Sequence, residues 1–93
     1  MLSPRHGHTP NTAKLSVTVT DVHGVQRILM MLTGRNYAVT HFEAGEIDAG
    51  LWRTSMNLLM TAEQVELLEA RLHRVPSVLD VDVRWVGTLA VTA

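Results

Sequence analysis

The hydrophobic period of this chain changes within one short stretch, and no other feature constrains the fold as tightly. Leu15, Val17 and Val19 alternate with Ser16, Thr18 and Thr20, the period of a half-buried strand. From Val25 onward the apolar positions are Val25, Ile28, Leu29 and Leu32, the spacing of one helix face. A strand over Lys14–Thr20 therefore runs into a helix through the polar turn Asp21-Val22-His23-Gly24. At about 100° per residue Gln26, Arg27 and Met30 point away from that face, and Gly34 is placed to end the helix. Such a turn aims the free N–H groups of a helix N-terminus at its surroundings, which suits a carboxylate. Asp21 reads best as the helix cap and His23 as a solvent-exposed turn residue. Gly24 has two compatible readings, an unusual backbone angle or the close approach of a ligand.

The rest of the chain supplies two more strands, a helix and a last strand. Tyr37–Ile47 is rich in β-branched and aromatic residues, and Glu46–Gly50 can turn the chain back into Leu51–Met60. The first arm of this hairpin is ambiguous, because Tyr37, Val39, His41 and Glu43 compete with Ala38, Thr40, Phe42 and Ala44 for the inner face. In the second arm Trp52, Met56, Leu58 and Met60 share a face, with Thr54 among them. Thr61-Ala62-Glu63-Gln64 fits a capping box and starts a helix whose apolar ridge is Val65, Leu68, Leu72 and Val75, before Pro76 stops it. Val78–Trp85 alternates again, with Leu79, Val81, Val83 and Trp85 opposing Asp80, Asp82 and Arg84. With right-handed crossovers, the order strand, helix, strand, strand, helix, strand predicts an α+β, ferredoxin-like βαββαβ domain. It has a four-stranded antiparallel sheet with two helices on one face, and the uncovered face calls for dimerisation or docking.

Several function classes are disfavoured by inventory. There are no cysteines, which removes disulfides, thiolate nucleophiles and cysteine metal sites, including those of a metal-carrying ferredoxin-like domain. A formal net charge of −1 and 4% aromatic content give no case for nucleic acid or anionic membrane. No apolar run reaches the ~20 residues of a membrane span, and no secretory signal is legible, so a cytoplasmic protein is expected. Residues 1–12 read as a flexible arm whose His6-Gly7-His8 is a weak ligand set, so no metal is assigned. Residues 87–93 read as a tail that either frays or pairs with another chain. His41 and Glu43 could be drawn as an acid–base pair, but no third residue orients them and no cleft motif accompanies them.

Three joints of residues 13–86 resemble the ACT domain, the small amino-acid-sensing module of amino-acid metabolism. Asp21-Val22-His23-Gly24-Val25 sits where that family has an acidic residue followed by Pro-Gly-Val. Arg35-Asn36-Tyr37-Ala38-Val39 is similar to its Arg-Gly-Tyr-Asn-Ile, and Leu51-Trp52-Arg53-Thr54-Ser55-Met56 to its Ile-Ser-Arg-Met-Thr-Ile. Leu72 through Val75, Val78 and Val81 repeats the family's helix-to-strand pattern. Within the family the chain looks most like the short, single-domain regulatory small subunit of acetolactate synthase.

That resemblance implies a non-catalytic subunit without a cofactor of its own. It would dimerise through the sheet and activate the large, thiamine-diphosphate-dependent catalytic subunit of branched-chain amino-acid biosynthesis. It also implies an effector site for a branched-chain amino acid at Asp21, Val22, His23, Gly24, Val25 and Ala38, and partner contacts at Arg53 and Met30. Two departures bear on the effector: His23 replaces the usual proline, and Ala38 stands where asparagine helps to hold the amino acid. Each hydrogen bond lost with that amide is worth on the order of 1 kcal/mol, so a weak or altered valine response is expected. The alternative is a free-standing ACT-domain amino-acid sensor acting as a homodimer.

Overall fold

The computed structural model describes residues 11–86. The arm with its His6-Gly7-His8 and the tail 87–93 lie outside the described residues, apart from Asn11 and Thr12. The elements follow in the order β1 (Asn11–Val19), α1 (Val22–Gly34), β2 (Ala38–Asp48), β3 (Leu51–Met60), α2 (Ala62–His73) and β4 (Val78–Val86). The strands form one antiparallel sheet in the order β2-β3-β1-β4, the expected βαββαβ arrangement. β1 begins earlier than the Lys14 start expected from alternation, because Asn11, Thr12 and Ala13 pair with Met60, Leu59 and Leu58.

One core lies between the sheet and both helices. Ala13, Leu15, Val17 and Val19 of β1 and Met56, Leu58 and Met60 of β3 meet Ile28 and Leu32 of α1 and Val65, Leu68 and Leu72 of α2. Thr54 sits fully buried on the same face, and its hydroxyl donates to the Val17 carbonyl at 3.3 Å, which satisfies the polar group that burial would otherwise penalise. α2 starts with the expected capping box: the Gln64 N–H donates to Thr61 Oγ1 at 3.2 Å, and the Thr61 N–H donates to Gln64 Oε1 at 2.8 Å.

Three local expectations need correction. Leu29 is 41% exposed at the rim of α1, and Met31 packs against the core beside Val25 instead. Gly34 ends α1, as its position predicts, and a left-handed turn follows it. That turn falls at Asn36 (φ 56), where the Asn36 N–H donates to the Thr33 carbonyl and the Tyr37 N–H to the Leu32 carbonyl, the Schellman pattern. In β2 both competing sets are half right, since a register shift at Thr40 turns Val39 and then Phe42 inward. In β4 a register shift beside Thr18 pairs Val78 with Val19, leaving Leu79 61% exposed rather than facing the core.

Candidate functional site

The turn after β1 is held from three sides. Asp21 is extended (φ −160, ψ 166), and its Oδ1 accepts from the Gly24 N–H at 2.8 Å, so it caps α1 as its position suggested. The Thr20 N–H donates to the Ser77 carbonyl at 3.0 Å, tying the turn to the segment that enters β4. Gly24 is buried with an ordinary helical backbone; among the described glycines only Gly50 has a positive φ. The unusual-angle reading therefore fails. A Cβ at Gly24 would collide with Ser77 Oγ and lie 3.0 Å from Val19 Cβ, so glycine is required by the approach of the chain to itself. Val22 and His23 face solvent beside this packed corner, and Val25 is half-buried against the core. Ser77 is the participant that sequence reasoning missed; nothing but its place after Pro76 marks it.

Ala38 lies elsewhere in the same chain. The turn follows Val19, which pairs with Trp52 at the start of β3, whereas Ala38 pairs with Leu59 near its end. At about 3.3 Å per residue the two stations are roughly 23 Å apart along the sheet. The six expected effector residues therefore do not converge within one chain.

The two expected contact residues also separate. Met30 is 62% exposed on the outer side of α1, while Arg53 is exposed on the opposite, uncovered face of the sheet, paired with Thr18 and Gly45. Arg53 overlooks a shallow hollow of about 300 Å³ that Glu43, Glu46 and Ser55 also line. Among the described residues no carboxylate oxygen lies within 4.0 Å of its guanidinium. On the same face His41 Nε2 and Glu43 Oε1 are 3.5 Å apart, both well exposed. Screening makes such a pair nearly neutral in energy, and no third polar group is hydrogen-bonded to it among the described residues.

Tyr37, just before β2, accepts a 2.9 Å hydrogen bond from Arg71 Nη1 of α2. This link fastens the second helix to the start of the hairpin, and spacing gives no sign of it. Among the described residues no group of three His, Asp or Glu side chains is arranged to hold a metal. No described helix is long and apolar enough to cross a membrane.

No family model matches the sequence, and no curated protein matches it by sequence. Solved structures do match in shape. The ACT domain from GTP pyrophosphokinase of Chlorobium tepidum superposes with a TM-score of 0.73 at 14% identity, covering 82% of this chain and 100% of that one. The acetolactate synthase small subunit from Thermotoga maritima gives 0.67 at 19% identity, with 77% of this chain and 46% of that one covered. The C-terminal domain of the MgtC protein from Mycobacterium tuberculosis gives 0.65 at 16% identity, over 90% and 93% of the two chains. The fold is thus that of ACT domains. This chain corresponds to less than half the length of the acetolactate synthase small subunit it resembles.

Proposed function

We propose that this chain is a non-catalytic regulatory subunit that activates the large subunit of acetolactate synthase, works beside it in the cytoplasm, and responds weakly to valine. One observation carries the reading: the residues at which the sequence resembles the small-subunit family are the residues that make the joints of the fold. Asp21 caps α1, Gly24 lies where the chain packs closely against Ser77 and Val19, and Asn36 takes the left-handed position where the family has glycine. The shape likeness to the Thermotoga maritima small subunit is consistent with it.

The same reading accounts for a weak effector response. The Gly24 N–H already donates to Asp21, and the space above Gly24 is filled by Ser77, so an incoming carboxylate meets an occupied corner. Ala38 contributes no amide. A homodimer would supply what one chain separates. β2 is a sheet edge, and antiparallel pairing of two β2 edges sets one protomer's Ala38 end against the end of the other sheet that carries the turn.

Regulation here means differential affinity for two states of the catalytic subunit. The test is to mix the purified chain with a thiamine-diphosphate-dependent acetolactate synthase large subunit. The expected result is co-elution together with raised turnover; separate elution and unchanged turnover overturn the proposal.

A further inference from the structure

The outer surface between α1 and α2 gathers half of the chain's basic side chains. Of eight Lys and Arg in the sequence, Arg27, Arg35, Arg71 and Arg74 line one open cleft of about 280 Å³. Its apolar floor is Met31, Val75 and Pro76. Arg27 and Met31 of α1 and Arg35, its C-cap, recur at four-residue intervals, and Arg71 in the last turn of α2 stands three before Arg74, the C-cap of that helix. Among the described residues no carboxylate oxygen comes within 4.0 Å of any of the four. Glu66 and Glu69 project from other sides of α2, about 140° and 160° around the axis from Arg71.

Two bland explanations fall short. Arg35 and Arg74 cap the C-termini of α1 and α2, and Arg71 lies in the last turn of α2, where cations complement the helix dipole. A helix C-terminus carries the equivalent of only about half a negative charge, far less than the charge gathered here. Packing does not explain the cluster either, since Arg27, Arg35 and Arg74 are exposed; among the described residues Arg71 is the one of the four with a side-chain hydrogen bond, to Tyr37 Oη.

The span of the cleft selects the class of ligand. Arg27 stands about two turns before Arg35, the C-cap of α1, roughly 12 Å along the axis between their Cα positions, so the basic positions are strung along the cleft rather than gathered on one backbone turn. The floor adds apolar surface that a bare polyanion would leave wet. A chain bearing several carboxylates with apolar side chains between them satisfies both, each guanidinium taking a carboxylate in its fork. We propose that the cleft between α1 and α2 docks an acidic segment of a partner protein. This stands whether or not acetolactate synthase is that partner.

The probe is a synthetic peptide of repeated Glu-Glu-Leu-Glu units, titrated calorimetrically into the intact chain, with a Gln-for-Glu peptide and tripolyphosphate as comparisons. The acidic peptide should bind, more weakly as salt rises, while the Gln peptide should not. Arg27→Ala and Arg74→Ala, both at exposed positions and checked for fold by circular dichroism, should each lower the affinity about tenfold. Arg27→Lys, which keeps the charge but not the fork, should fall between. No binding to the native chain, equal binding of the Gln peptide, or affinity unchanged in Arg27→Ala with Arg74→Ala overturns the proposal. So does tripolyphosphate binding tighter than the peptide, which would make the cleft a small-polyanion site.

Discussion

Replacing Gly24 and Gly34 in turn by alanine makes one substitution with two opposite outcomes. Both glycines lie in α1 and neither has a positive φ, so backbone conformation does not forbid alanine at either site. In open space the change should stabilise, by up to about 1 kcal/mol in a helix interior and less at its last residue. At Gly34 nothing lies within 4 Å of the added Cβ, so a gain of roughly 0.5 kcal/mol is expected. At Gly24 the Cβ collides with Ser77 Oγ and crowds Val19 Cβ at 3.0 Å and Cγ1 at 3.2 Å. Ser77 is only half-buried and can give way, but Val19 is fully buried in β1 between β3 and β4 and cannot. Overpacking of this kind costs about 1–3 kcal/mol, outweighing the helix gain and leaving Gly24→Ala destabilised by roughly 1–2 kcal/mol. In a domain of this size each kcal/mol moves Tm by about 4–8 °C, so thermal melts followed at 222 nm should show shifts of opposite sign. Adding Ser77→Gly should recover part of the Gly24→Ala loss, leaving the share due to Val19. If Gly24→Ala melts at or above the native temperature, or if Ser77→Gly deepens its loss, the close-approach account of Gly24 is refuted.

Other expectations follow from the same contacts. Thr61→Ala removes one half of the capping box and should cost about 1 kcal/mol in urea unfolding, with an unchanged m-value. Tyr37→Phe deletes the acceptor for Arg71 and should cost about 1 kcal/mol; an unchanged midpoint would show that the link contributes nothing. Asn36→Gly places the residue best suited to φ 56 at the end of α1 and should raise stability by about 0.5 kcal/mol, measured the same way. Ala38→Asn restores an amide on the exposed first residue of β2 and should tighten valine binding about fivefold or more by calorimetry. No change there would remove Ala38 from the effector site.

Where the sequence carried two agreeing signals, the fold was legible. The change of period at Asp21, the capping box at Thr61 and the ridge Val65, Leu68 and Leu72 each reappear in the structure as expected. What escaped was mostly parity. A register shift at Thr40 or beside Thr18 adds a residue to one strand and reverses which side chains face inward beyond it, while local composition stays the same. Hence simple alternation puts Leu79 on the wrong face and leaves β2 ambiguous, whereas the strand uses Val39 from one set and Phe42 from the other. The role of Asp21 followed from its position alone, whereas that of Gly24 depended on Ser77, which lies 53 positions along the chain and shares no pattern with it. The arginine cleft is not legible from spacing, because Arg27 and Arg35 lie far along the chain from Arg71 and Arg74 and only the fold brings the two halves to one cleft.

The most direct test of the regulatory reading is the turnover of an acetolactate synthase large subunit titrated with this chain under saturating pyruvate and thiamine diphosphate. The account predicts a saturable rise in kcat that reaches its plateau at a fixed ratio of the two chains, with little response to added valine. A flat titration, with the two proteins eluting apart, would contradict it.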